Sequence, residues 1–79
     1  MLLSDLPSGQ TATIDHVLDR SDADSIAARL RDLGFVAGEP VRVVTRALIG
    51  ADPLVVQIGF TRFALRRAEA ARVIVQTAA

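Results

Sequence analysis

The sequence predicts a mainly β domain: a small barrel of about five short strands, with one α-helix between the first and second strands. Three observations carry this reading. Short runs rich in Val, Ile and Thr, with apolar and polar positions alternating, recur along the chain between Gly, Pro and Asp punctuation. One stretch, "SDADSIAARLRDLG" (21–34), changes to a helical period. The 79 residues are 51% hydrophobic and include no cysteine, so an apolar core must hold the domain without disulfides.

The elements follow in order. "GQTATIDHVL" (9–18) reads as a strand, with Thr11, Thr13 and Asp15 alternating against Ala12, Ile14 and His16. In the helix, Ile26, Leu30 and Leu33 share one face. Ser21 or Asp22 caps its first turn and Asp24 sits favourably against its dipole. Gly34 fits the left-handed position that ends it. After a turn at Gly38, a strand starts at about Val41, with Val41, Val43 and Thr45 on one face and Arg42, Val44 and Arg46 on the other. "IGADP" (49–53) is the next turn. "LVVQIGF" (54–60) then puts Leu54, Val56, Ile58 and Phe60 on one face, with Gly59 at a bulge or close backbone approach. "RFALR" (62–66) is a fourth strand with Phe63 and Leu65 inward, "RAEAA" (67–71) a single helical turn, and "RVIVQ" (72–76) the last strand. All three Phe are assigned to the core.

Five closely spaced short strands suggest closure into a barrel. The early helix and the helical turn before the last strand suit an SH3-like barrel better than an OB-fold, whose helix comes between the third and fourth strands. Residues 1–79 are expected to form one domain. A chain this short buries only ~60% of the surface its unfolded form exposes, so its stability margin is thin.

The composition narrows the chemistry. There is no lysine, and nine arginines balance nine acids. Residues 1–24 carry five aspartates against Arg20, and the remainder carries the opposite excess, so the two halves are expected to face each other across the fold. "MLLSDLPSGQ" lacks the basic start and apolar run of a signal peptide, and no stretch reaches the ~20 apolar residues of a membrane helix. A cytosolic location without direct membrane insertion is expected. With no Cys or Lys, and with His16 and Asp15 adjacent in a strand and pointing to opposite faces, no catalytic residue is assigned. One His and scattered carboxylates make no metal site, the phosphate-binding Gly-Lys loop is absent, and no cofactor is implied. Overall neutrality and the lack of Tyr and Trp argue against nucleic acid.

Interaction surfaces remain. Leu48 and Ile49 are apolar where a hairpin loop should be polar, and either cap the barrel mouth or form a contact patch for a partner. Arg66 and Arg67 open the turn before the last strand and offer rigid, weakly hydrated charge to a protein partner. Exposed strand edges leave self-association open.

Three runs, "LPSGQTATIDHV", "RLRDLGFVAGEPVRVV" and "GADPLVVQIGFTRFALRRAEAARVIV", resemble the FeoA family of ferrous-iron-transport accessory proteins across roughly residues 3–76. The Leu30–Leu33–Gly34–Gly38 spacing, Asp52–Pro53 and the "ALRRAEA" run carry the resemblance; Ala37 departs from it, since the family often has Pro there. The resemblance implies an SH3-like barrel and a non-enzymatic cytosolic role beside a membrane GTPase-coupled Fe²⁺ transporter of the FeoB type. The alternative it implies is a stand-alone regulatory or peptide-binding domain like the C-terminal domain of iron-dependent repressors.

Overall fold

The computed structural model describes residues 1–46 and 52–77. Alternation makes Thr11–Val17 strand β1, which buries Ala12, Ile14 and Val17. Ser25–Leu33 is helix α1, with Ala27 and Leu30 buried. Its cap is Asp24, not Ser21 or Asp22: the Asp24 carboxylate accepts from the Ile26 and Ala27 N–H groups, both at 3.1 Å. Gly34 ends the helix at φ 112°, and the Phe35 N–H donates back to the Leu30 carbonyl at 3.0 Å. This left-handed residue aims Phe35 into the core, where its ring lies 5.5 Å from that of Phe63. Gly34→Ala forces a Cβ into that backbone conformation and is expected to lower stability by about 1 kcal/mol, read as a lower urea midpoint with an unchanged m-value.

Pro40–Arg46 forms β2, Leu54–Ile58 β3, Thr61–Leu65 β4, Arg67–Ala70 the one-turn helix α2, and Val73–Gln76 β5. All pairings are antiparallel, in the order β4-β3-β2-β1-β5. One core lies against one face of the sheet, built from Ile14, Val41, Val43, Leu54, Val56, Val73 and Val75 of the sheet with Leu30, Phe35 and Ala70. Leu3 and Leu6 complete it; Leu3 opens and Leu6 follows a 3₁₀ turn, Leu3–Asp5, that has no counterpart in the sequence reading.

The sheet does not close into the expected SH3-like barrel: it is open, and β4 and β5 are its two edges, not paired with each other. The edge of β5 that closure would use is already taken by the start of the chain. The Val75 N–H donates to the Met1 carbonyl at 2.8 Å, and Leu2 bridges Ile74.

Three side-chain assignments change with the backbone. A bulge between Ile14 and His16 leaves Asp15 and His16 both exposed and returns Val17 to the core. A second irregularity, between Val43 and Thr45, moves Thr45 from the Val41–Val43 face to solvent. Arg46 is then half-buried and donates to the Leu6 carbonyl. The β3–β4 connection is a two-residue hairpin, Gly59–Phe60, with Gly59 at φ 58°, as turns with Gly at the first central position require. Gly59 therefore marks a tight turn, and Phe60 stands fully exposed at its tip rather than in the core.

Candidate functional site

The two candidate arginines sit where β4 gives way to α2. Leu65 and Ala70 are buried, which fixes the chain on both sides of the turn. The Arg66 N–H donates to the Glu69 carboxylate at 2.7 Å, and the Arg67 N–H donates to the Asp52 carboxylate at 2.6 Å. Two carboxylates thus satisfy two of the free amides at the start of α2, and Asp52 ties α2 to the segment leading into β3. Both arginine residues are exposed, and Arg66 shares a shallow depression with Asp52 and Pro53. Leu48 and Ile49 lie outside the described residues.

Two ion pairs join the acidic first part of the chain to arginines of the second. Arg31 donates to Asp19 at 2.8 and 2.9 Å and to the Val17 carbonyl at 2.7 Å. Arg72 donates through Nε to Asp24 at 2.8 Å. Each pair joins an N-terminal carboxylate to an arginine of the second part of the chain. These arginines hold the Asp19 carboxyl below, and the Asp24 carboxyl far below, the ordinary carboxylate range, chiefly through the side-chain hydrogen bonds. Among the described residues Arg29, Arg42, Arg62, Arg66 and Arg67 enter no salt bridge. The sheet register places Thr11, Arg42, Gln57 and Arg62 in one row across four strands, on the face away from the core.

A second surface was not foreseen. Between α1 and β4 runs a groove of about 270 Å³, with Ile26, Arg29 and Leu33 on one wall and Arg62, Phe63 and Ala64 on the other. Leu33, expected in the core, is 37% exposed there.

Asp15 and His16 do meet, contrary to the strand geometry expected for them. The bulge lets His16 Nδ1 approach the Asp15 carboxylate to 2.5 Å, and Gln76 donates to the other carboxylate oxygen at 3.1 Å. The adjoining cleft is lined by Val17, Arg31, Phe35, Val36 and Ala37, so the pair has no hydroxyl or thiol to activate. Among the described residues, no three His, Asp or Glu side chains come together to hold a metal ion.

An open five-stranded sheet with a helix over its core and exposed arginine and apolar side chains around it defines a small, mainly β domain. The family model described as the FeoA domain matches residues 1–77, and the chain belongs to this family of ferrous-iron-transport accessory domains. The crystal structure of Stenotrophomonas maltophilia FeoA complexed with zinc is 54% identical, with 96% of this chain and 89% of that chain covered at a TM-score of 0.90. The solution structure of FeoA from Chlorobium tepidum is 32% identical, with 100% and 71% covered at a TM-score of 0.85. A manganese-dependent transcriptional repressor in complex with manganese shares the fold alone, at 19% identity and a TM-score of 0.84, with 99% of this chain matching 36% of the repressor. No curated protein matches the chain.

Proposed function

We propose that this chain is a cytoplasmic accessory protein of ferrous iron uptake that binds the cytosolic part of a FeoB-type, GTPase-coupled Fe²⁺ transporter and modulates it. The observation that carries this reading is the family match over residues 1–77. It is supported by the 54% identity to the S. maltophilia protein, which has been put forward as a bacterial ferrous iron transport activating factor. No helix among the described residues is long and apolar enough to cross a membrane, so contact with a transporter would fall to surface side chains. The contact residues in this proposal are Leu48 and Ile49, on sequence grounds, with Arg66 and Arg67.

The test is co-purification of the tagged protein with the full-length transporter in detergent, at low and high salt, with and without a GTP analogue. Arg66→Glu with Arg67→Glu is expected to reduce recovery at least roughly threefold at low salt and to have little effect at high salt, where exposed charges are screened. Leu48→Asp with Ile49→Asp is expected to reduce recovery at both. Wild-type recovery by both double variants would discard this contact surface. Absence of any complex would discard the transporter as direct partner and leave the stand-alone regulatory domain.

A further inference from the structure

We infer that the α1–β4 groove is a binding site for an extended acidic-apolar segment of a partner protein, which adds to the sheet beside β4. The two edges of the sheet differ. β5 is covered by Met1 and Leu2, whereas among the described residues β4 has a neighbour only in β3. In a two-residue hairpin the residues flanking the turn, here Ile58 and Thr61, form a hydrogen-bonded pair, and such pairs alternate along the ladder. Thr61, Phe63 and Leu65 therefore spend their backbone groups on β3, while Arg62 and Ala64 direct an N–H and a C=O each toward the open edge. Helix α1 does not close over that edge but stands off it, leaving the groove. A helix beside an unpaired strand is the arrangement in which an extended peptide gains ladder hydrogen bonds and side-chain pockets together.

The lining selects the occupant. In an added strand, alternate side chains would point toward α1 and meet apolar surface: Ile26 and Phe63, half-buried against the core, and the exposed Leu33. The intervening side chains would emerge on the face of Arg62, with Arg29 on the helical wall. Among the described residues neither arginine is in a salt bridge, so carboxylates at these positions would be paired at little desolvation cost. Glu69 lines the end near Leu65, which places the acidic positions toward Arg29 and Arg62. A second copy of β4 is the weaker occupant, because it would bring Arg29 and Arg62 of both copies together. The inference stands whether or not the iron transporter supplies the segment.

The experiment is a titration of the ¹⁵N-labelled protein with a short acetylated peptide of alternating valine and glutamate, against the same peptide with lysine for glutamate. The glutamate peptide is expected to move the amide resonances of Arg62 and Ala64 most, with Ile26, Arg29 and Leu33 following. Arg62→Glu and, separately, Arg29→Glu are expected to weaken binding roughly tenfold. Both are exposed surface changes, so an unchanged spectrum away from the groove checks the fold. No response at Arg62 and Ala64, equal binding of the lysine peptide, or shifts centred on β5 would overturn the inference. Shifts at β4 that follow protein concentration without peptide would assign the edge to a second copy instead.

Discussion

Asp24→Ala is expected to lower the melting temperature by on the order of 10–20 °C, far more than the loss of an ordinary helix cap. One carboxylate oxygen accepts from the Ile26 and Ala27 N–H groups and the other from the Arg20 N–H and Arg72 Nε, at 2.8–3.1 Å. The Arg72 and Asp24 side chains are 13% and 5% exposed. Removing the carboxylate frees the first turn of α1 and leaves the Arg72 guanidinium desolvated without a counter-charge, the costly way to break a buried pair. Asp24→Asn separates the two effects, since it retains an acceptor for the helix amides but loses the charge and sets an NH2 donor against the Arg20 N–H and Arg72 Nε. The pair also sets a pH dependence. The folded-state carboxyl titrates far below its unfolded value of about 4, so its stabilisation is complete above that pH and is lost as pH falls toward the folded value. Wild-type stability should therefore fall steeply below about pH 4, and the Asn variant should show a flatter acid limb. Parallel acid limbs in thermal melts would assign the linkage to another carboxylate, with Asp19, also depressed but exposed, as the first alternative.

Leu3→Ala and Leu6→Ala are each expected to cost about 2–5 kcal/mol. Both side chains are fully buried, yet they belong to a short segment tied down by few backbone hydrogen bonds. A domain of this size has a total stability of roughly 5 kcal/mol, so the double variant should be largely unfolded at room temperature. Asp5→Ala, an exposed change between them, should melt within a degree or two of wild type. A folded double variant with wild-type amide dispersion would show that the 3₁₀ segment lies on the core without supporting it.

The helix was legible because Ile26, Leu30 and Leu33 recur at a helical period before the Gly34 stop, although Leu33 itself is left partly exposed. The strands were legible for the same reason, up to their irregularities. A bulge inserts one residue and reverses the faces beyond it, and nothing in "TIDHV" or "VVTR" marks the insertion. The opening Leu3 and Leu6 span too few residues to show any period, although their spacing of three was the available signal. Asp22 and Asp24 are equivalent candidates by composition; what distinguishes Asp24 is Arg72, which lies 48 residues away. Barrel closure was inferred from strand count, and strand count says nothing about which edge the chain's own beginning will occupy. The exposure of Arg66 and Arg67 followed from their place after an inward-facing Leu65, whereas the groove depends on where α1 lies relative to a sheet edge and has no local signature.

The unequal edges limit how copies of this domain can join. A strand-edge monomer that is reactive at both ends grows; one that is reactive at a single end can only terminate. With β5 sealed by Met1 and Leu2 and β4 open, this domain is monofunctional among its described residues. Any edge-to-edge pairing between copies consumes both open edges and stops at two, so a docking strand can remain available without the chain becoming the repeat unit of a fibre.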